Sequence, residues 1–391
     1  MKSTQSNGKL ILQILLIFLI TRAIMLGVYL VYCAIFNDTS GFEGVFGRWD
    51  TSYYRDIINN GYSLPKAGNG MANFAFFPLF PMAAKGLQII SGGIIPSFWC
   101  GIIVSDICLV LASYFAVKLI RDKGLTKGER GPAFSGLAGN GLLLAWLLML
   151  GPLTVYFGMC YTEGMFLLWI VLFFYFADKK IFMLAGMFAM LAGTTRSVGC
   201  LLVIPLIMAM YSHYKESTGT GNVFKFIGGI FAKPSWLFSI LMIPAGVFLF
   251  MIFLHFRLGD AWAFMHAQVA WRDDHFVPLV GVLGRHLIGM GVPRYTLSAW
   301  ICVAAFVMYI WMFVKGLRKE AVWGIVSLLL PLTSHVMSTP RFISGSFVIW
   351  MGMYLLIKGM KPKMGAVFTG ILYAGGIITI AMWCASARFM M

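Results

Sequence analysis

Apolar runs of roughly 18 to 25 residues recur from one end of the chain to the other, and they restrict the fold more than any other feature. A run of that length forms a helix that crosses the hydrocarbon core of a bilayer. The composition agrees, because 60% of the 391 residues are hydrophobic, only 11% are charged and the mean hydropathy is +0.85. A transmembrane barrel would show short alternating segments instead. The sequence therefore predicts an all-α polytopic membrane protein.

The positions of the basic residues orient the predicted spans. Most of the 30 Lys and Arg lie in short loops between apolar runs, for example in 121–130, 315–319 and 358–363. Cytoplasmic loops carry such an excess, so we expect these loops and the N-terminus to lie inside. This placement explains the net charge of +16 without nucleic acid as a partner. It gives about 11 transmembrane helices, with two long extracytoplasmic segments, 37–97 and 257–295.

The chain is expected to be one unit. Its first apolar run, 10–36, is too long for a signal-peptide core and lacks a small-residue cleavage site, so we interpret it as a retained span. No soluble domain and no repeat is visible, which predicts a single transmembrane domain over 1–391. The seven cysteines lie in or beside apolar runs without C-x-x-C spacing. That pattern is typical of core residues, not of disulfides or a zinc site.

The stretch FGRWDTSYYRDIINNGY, directly after the first span, is unusually polar and aromatic. One interpretation makes Asp50 the N-cap of a short helix that ends at Gly61. Trp49 and Tyr54 are then aromatic residues of the membrane interface. The other interpretation makes Asp50 a general base at the outer face, because a carboxylate within hydrogen-bond reach can take the proton of an attacking hydroxyl. Both stay open on these residues alone.

Four further charged residues on the predicted outer side are candidates for the site. Asp56 is expected to support it by pairing with a neighbouring arginine. Glu163 stands at the mouth of a span, where an unpaired charge is costly, so we expect it to pair with an arginine such as Arg196 or to bind an acceptor. Arg196 suits a phosphate through its planar fork of donors, unless it only extends to lipid headgroups. Arg341 is one of several outward arginines of which some are expected to neutralise such a phosphate.

Two further stretches complete the set of candidates. Phe77 and Pro78 belong to FFPLFP, whose prolines break a continuous span; it is expected to pack along the interface or to shape a sugar or lipid groove. HAQVAWRDDHF is too polar for a plain interface loop. A metal site formed by its His and Asp residues is the alternative, but adjacent Asp-Asp-His lacks the spacing typical of zinc, and neither a metal nor a cofactor is predicted. This stretch contributes the candidates His266, Gln268, Trp271 and Arg272.

RWDTSYYRDIINNGY followed by NFAFFPLFP resembles the W-D-x-x-x-Y…G-Y and F-F-P-L-x-P motifs of PIG-V-type mannosyltransferases. That family contains the second mannosyltransferase of GPI-anchor assembly and its prokaryotic relatives. VSD, YTEG, TTRSVG, LGDAWAFMHAQVAWRD and STPRF follow in the family's order, so the resemblance spans nearly the whole chain. Asp106 stands where Asn is usual. Tyr53 stands where His is common, so no role of that His carries over.

The resemblance implies a GT-C-type, metal-independent, inverting glycosyltransferase that takes mannose from a polyprenyl-phosphate or dolichyl-phosphate donor. It implies that Asp50, in the first outer segment, is the catalytic base. The expected partners are the lipid-linked donor, a glycolipid or glycan acceptor and membrane lipids. The expected location is a prokaryotic plasma membrane with an extracytoplasmic site, or the ER membrane with a lumenal site if the source is eukaryotic.

Two other classes of protein stay open on the sequence alone. A polytopic transporter or lipid flippase is compatible with the acidic residues Asp106 and Glu163 in or near spans, although no inverted repeat is visible. A non-enzymatic scaffold subunit would not need Asp50. Transfer of mannose from polyprenyl-phosphate mannose distinguishes the enzyme from both.

Overall fold

The computed structural model describes residues 7–63, 72–124, 141–267, 279–289, 293–333, 336 and 338–386. Within these ranges the chain is helical and forms no strand, which confirms the all-α prediction there. The α-helices are α1 (Asn7–Phe36), α2 (Gly41–Phe46), α3 (Asp50–Asn60), α4 (Leu79–Ile90), α5 (Ser97–Asp122), α6 (Leu142–Leu150), α7 (Glu163–Asp178), α8 (Phe182–Thr195), α9 (Val203–Thr218), α10 (Val223–Ala232), α11 (Pro234–Leu258), α12 (Ala263–His266), α13 (Leu279–Leu287), α14 (Pro293–Val314), α15 (Arg318–Leu329), α16 (Thr339–Ser344), α17 (Phe347–Gly359) and α18 (Pro362–Cys384).

Six helical segments of the described chain are long and apolar enough to cross a membrane: α1, α5, α11, α14, α18 and the segment Ser197–Thr218, which ends with α9. They agree with a multi-pass membrane protein. Helices α6, α7, α8, α15 and α17 are shorter, with 9, 16, 14, 12 and 13 residues. The total of about 11 spans therefore stays a prediction.

The predicted span over 133–153 corresponds to α6 in the part that the structure describes. Its first part, 133–140, lies outside the described residues, and α6 ends at Leu150. The helix ends there because Gly151 takes an extended conformation, which a residue before proline favours. Residues 151–162, called the 151–162 loop below, continue as irregular chain with a short 3₁₀ turn, Thr154–Gly158.

The 151–162 loop is almost entirely buried. Irregular backbone at membrane depth requires protein partners for its polar groups, and neighbouring helices supply them. The Leu153 N–H donates to Thr379 Oγ1 at 3.1 Å, and the Ser105 hydroxyl donates to the Tyr161 carbonyl at 3.0 Å. The loop also lies very close to α5, since a Cβ atom at Gly101 would overlap the sulfur of Cys160. These contacts fix the part of the chain that leads to Glu163.

Two other predicted spans, 321–337 and 342–357, are shifted in the structure. Helix α15 ends at Leu329, before the 3₁₀ turn Pro331–Thr333, because proline cannot donate the hydrogen bond that would continue the helix. The second span begins only at Phe347, and the short helix α16 precedes it. This break places Arg341 on a separate turn, beside the start of α7.

Charged side chains connect the helices at both ends of α7. At its C-terminal end, Asp178 forms ion pairs with Lys123 at 2.5 Å and with Lys319 at 2.6 Å, and Lys123 also contacts the buried Glu320 at 2.7 Å. At its N-terminal end, Glu163 lies among arginines. A 16-residue helix separates these two clusters by about 22 Å along its axis. They therefore mark opposite ends of the helical domain.

Candidate functional site

Asp50 is the first residue of α3, and Trp49 occupies the N-cap position of that helix. The N-cap interpretation of Asp50 is therefore wrong, and within the described chain its carboxylate accepts no backbone N–H. Instead, Asp50 Oδ2 accepts a hydrogen bond from Nη1 of Arg341 at 2.5 Å. The backbone N–H of Asp50 donates to the Tyr161 hydroxyl at 3.2 Å. The side chain keeps 30% of its surface exposed, so the carboxylate is held but accessible.

The chain that enters α3 is anchored on the end of α18. Nη1 of Arg48 donates to the carbonyls of Trp383 and Cys384 at 3.1 and 2.9 Å. The Trp49 ring packs edge-on against Trp383, with ring centroids 4.6 Å apart. Trp49 has φ of +54°, a conformation that costs energy for a bulky residue and persists only where the surroundings enforce it. Trp49 thus positions the start of α3 by packing, and it does not line the cavity described below.

Glu163, Arg196 and Arg341 form one ion cluster with Asp50. Oε1 of Glu163 accepts hydrogen bonds from Nη1 of Arg196 at 2.6 Å and from Nε of Arg341. This confirms the pairing with Arg196 that was one of the two expectations for Glu163. Glu163 is 1% exposed. Two carboxylates face two guanidinium groups, so the formal charge of the cluster is zero.

Arg341 is held on three sides. Its Nε and Nη1 donate to Glu163 and Asp50, and its guanidinium lies over the rings of Tyr161 and Tyr156, at 4.4 and 5.4 Å from their centroids. Burial disfavours its charged form, but the carboxylates of Glu163 and Asp50 outweigh burial and raise the pKa of Arg341 further above its usual range. Arg341 is therefore a fixed cation that orients Asp50.

Arg196 is less completely bound. The helix α8 ends at Thr195, and Arg196 takes an extended conformation before the 3₁₀ segment Ser197–Leu202. Only its Nη1 has acceptors among the described residues, Glu163 and, at 3.4 Å, the Thr162 hydroxyl. Its guanidinium lies 4.5 Å from the Phe342 ring centroid. Several donors of Arg196 are thus available to an anion.

Asp50, Arg196 and Arg341 line a common cavity of about 550 Å³. Its polar wall also includes Tyr54 and Thr162. Burial, together with the charge of Asp50, raises the pKa of the Tyr54 hydroxyl, so this residue stays neutral at physiological pH. Apolar lining residues come from four parts of the chain: Phe76 and Phe77 before α4, Val247 on α11, Phe264 on α12 and Leu330 after α15.

The structure places the remaining candidates as follows. Phe77 lines the cavity and packs against Phe264, with ring centroids 5.3 Å apart, while Pro78 precedes α4. The expectation that Asp56 pairs with an arginine is wrong, because its oxygens accept from the amides of Asn60 and Asn73 at 2.8 and 2.6 Å. Those amides close the turn after α3. Gln268, Trp271 and Arg272 lie outside the described residues.

His266 is exposed at the end of α12. Its Nδ1 lies 2.7 Å from Asp260 Oδ2. Asp260 also accepts the backbone N–H of Trp262 at 2.9 Å, and these two hydrogen bonds, with the His266 charge, lower the pKa of the Asp260 carboxyl. Sequence reasoning missed Asp260, although it belongs to the quoted stretch LGDAWAFMHAQ. The adjoining Met265 lines the cavity, so the pair lies close to its rim.

Sequence reasoning also missed the aromatic support of the cluster. Tyr161 is the first residue of the quoted YTEG stretch, and its ring and hydroxyl contact Arg341 and Asp50. Thr162, the next residue, contacts both Arg196 and Tyr54. The presence of two hydroxyl residues beside the singled-out Glu163 was the available signal. Among the described residues, no group of three or more His, Cys, Asp or Glu is placed to hold a metal ion.

No protein-family model matches the chain, and no curated protein matches it significantly. The resemblance to PIG-V-type mannosyltransferases therefore stays a prediction that rests on the quoted motifs. What the site can do is argued below from its own side chains.

Proposed function

We propose that the protein is a GT-C-type inverting glycosyltransferase that transfers mannose from a polyprenyl-phosphate donor to a hydroxyl of a glycolipid or glycan at the extracytoplasmic membrane face. The observation that carries the proposal is the shared cavity of Asp50 and Arg196. It combines an accessible carboxylate with a guanidinium that has free donors. The carboxylate can take the proton of an acceptor hydroxyl, and the guanidinium can bind the phosphate of the donor.

The reaction needs one base and one anion site. The acceptor oxygen attacks the anomeric carbon, the bond from that carbon to the phosphate oxygen breaks, and Asp50 takes the hydroxyl proton. Phosphate is a good leaving group and needs no acid, in contrast to the sugar alcohol that leaves in a glycosidase. Arg341 orients Asp50 for this role, and Arg196 binds the phosphate of the donor.

The walls of the cavity suit a donor that is half sugar and half lipid. Aromatic and aliphatic side chains such as Phe76, Phe77 and Val247 line the same cavity as the charged cluster. Val247 belongs to α11, one of the helices of membrane-spanning length. An isoprenoid chain that enters from the bilayer would contact this apolar side, while its phosphate reaches Arg196. The proposal that the sugar is mannose and that its carrier is a polyprenyl phosphate rests on the motif resemblance.

The transporter alternative receives less support. Asp106, the intramembrane acid that favoured it, accepts hydrogen bonds from Arg22 at 3.0 and 2.7 Å. This pair joins α5 to α1 and does not line the cavity. An acid that is already neutralised by an arginine is a poor carrier of coupled protons. Asp106 is thus explained by helix packing.

The proposal is tested by transfer of radiolabelled mannose from polyprenyl-phosphate mannose to lipid extracts or glycans with the purified protein. Asp50→Asn keeps the size of the side chain but removes the base, and turnover is expected to fall by roughly 10²–10⁴. Asp38→Asn is the matched control, because Asp38 is an acid of the same outer segment that does not line the cavity, and its Oδ1 accepts the Ser40 N–H at 2.8 Å. Near-normal transfer by a well-folded Asp50→Asn variant would rule out the catalytic role of Asp50.

A further inference from the structure

Glu163 differs from the other members of the charged cluster because it is sealed from the cavity. It is 1% exposed, whereas Asp50 and both arginines line the cavity wall. Its Oε1 receives Arg196 and Arg341 together, and its buried Oε2 has no hydrogen-bond partner in the part of the chain that the structure describes. Oε1 of Glu163 thus accepts hydrogen bonds from Arg196 and also from Arg341, the arginine that binds Asp50.

We infer that Glu163 is a positioning residue that sets the balance between donor binding and proton transfer by sharing its charge between the two arginines. This inference rests on the proposed function. Because Glu163 and Asp50 both bind Arg341, Asp50 does not receive the full attraction of that cation and stays an effective proton acceptor. Because Glu163 also binds Arg196, the charge offered to a donor phosphate is reduced. Phosphate binding is then weak enough to allow product release.

Removal of the Glu163 charge has opposite effects on the two halves of the site. Glu163→Gln changes the formal charge of the cluster from zero to +1. Arg196 then offers its full charge to a phosphate, and binding tightens by roughly 10- to 100-fold, as the loss of a negative charge several ångströms away implies at an effective dielectric constant of about 20 to 40. Arg341 turns its full charge towards Asp50, which then accepts a proton less readily, and kcat falls by roughly 10- to 100-fold. A residue that only supports the fold would impair binding and turnover together.

The experiment uses the full-length protein in detergent micelles and two readouts. Binding of farnesyl phosphate, which carries the prenyl phosphate group without a sugar, reports the anion site; KM and kcat with polyprenyl-phosphate mannose report the reaction. Glu43→Gln is the matched control. Glu43 pairs with Arg55 at 2.5 Å on the outer segment, and neither residue lines the cavity, so its loss adds the same net charge elsewhere. Farnesyl phosphate affinity and kcat of this control are expected to stay within about twofold of wild type.

The outcomes separate this inference from the proposed function. Tighter farnesyl phosphate binding together with lower kcat in Glu163→Gln supports charge sharing. If Glu163→Gln loses farnesyl phosphate affinity and kcat together, or changes neither, charge sharing is overturned. Mannose transfer by the wild-type protein would still support the proposed function in that case. If Glu163→Gln does not fold, Glu163→Asp serves instead, because the shorter side chain cannot reach both arginines. We then expect tighter farnesyl phosphate binding and a lower kcat, with smaller changes than in Glu163→Gln. A wild-type protein that neither binds farnesyl phosphate nor transfers mannose overturns both proposals.

Discussion

At the scale of single residues, the site depends on unequal roles for two arginines of the same cluster. Arg341 is occupied by Asp50, Glu163 and two tyrosine rings, whereas Nε and Nη2 of Arg196 have no acceptor among the described residues. From the sequence alone, both arginines had the same expected role, binding of a phosphate. The structure favours Arg196 for that role, because an anion can reach it without displacing a carboxylate.

This difference leads to a prediction for Arg196→Ala. Donor affinity, measured as KM or as farnesyl phosphate binding, is expected to fall by roughly 10- to 150-fold, the value of a lost charge-assisted hydrogen bond. The turnover of the bound complex is expected to change much less, because the hold on Asp50 remains. Arg55→Ala removes an arginine from the same outer side without touching the cavity and serves as the control. Unchanged affinity in Arg196→Ala would transfer the phosphate role to another arginine.

The types of residue in the site could be predicted from the sequence, but their partners could not. Asp50, Glu163, Arg196 and Arg341 stood out because charges are rare in this chain and costly near a bilayer. Asp50 and Arg341 are 291 positions apart, and no local pattern links them. Asp56 shows the same limit, because its partners Asn60, at the end of α3, and Asn73, before α4, are uncharged, and a search for opposite charge could not find them. Local sequence shows which groups need a partner, and only the fold decides which partner they meet.

At the scale of elements, the site is built where helices are interrupted. The 151–162 loop carries Tyr161 and Thr162, the break after α8 carries Arg196, and α16 carries Arg341. Hydropathy predicted the spans with intact helices, such as α1, α5 and α18, within a few residues. It was less accurate at 321–337 and 342–357, where the helices are shifted, because an apolar run remains apolar when proline or glycine ends its helix. These helix breaks, which hydropathy does not detect, also place polar side chains next to the cavity.

The close contact between Gly101 and the 151–162 loop gives a prediction at this scale. Gly101→Ala adds a methyl group that would overlap Cys160, so the loop must shift, and over-packing of this kind costs roughly 1–3 kcal/mol. We expect a lower melting temperature and reduced transfer, because Tyr161 and Thr162 move with the loop. Gly27→Ala, on α1, is expected to have neither effect, because a Cβ atom added there meets no described atom within 4 Å apart from the backbone of its own helix.

A second variant tests whether the overlap is the cause. Combining Gly101→Ala with Cys160→Ala removes the sulfur that the new methyl group meets. The double variant is expected to recover part of the lost stability and transfer. No recovery, with both single variants destabilised, would mean that the loop is not held by this contact.

At the scale of the whole molecule, the charges are sorted to two ends of an apolar helical domain. One end holds the Asp50 cluster and its cavity. The other holds the network of Lys123, Asp178, Lys319 and Glu320, followed by the ion pair of Lys180 with Glu216 at 2.8 Å. The positive-inside pattern assigns the lysine-rich end to the cytoplasm. A lipid donor and a hydroxyl acceptor would then meet at the extracytoplasmic end.

This orientation predicts which positions react with a membrane-impermeant maleimide in intact cells. Asn59→Cys lies on the exposed side of α3, at the end of the domain that holds the cavity, and Ser217→Cys lies exposed near the end of α9 beside Glu216. We expect the first to be labelled in intact cells and the second only after the membrane is permeabilised. The wild-type chain provides the background, since five of its seven cysteines are buried and Cys33 and Cys200 are half-buried. Labelling in the reverse order would place the Asp50 cavity in the cytoplasm, where it would meet donors on the inner leaflet, and would contradict an extracytoplasmic transferase.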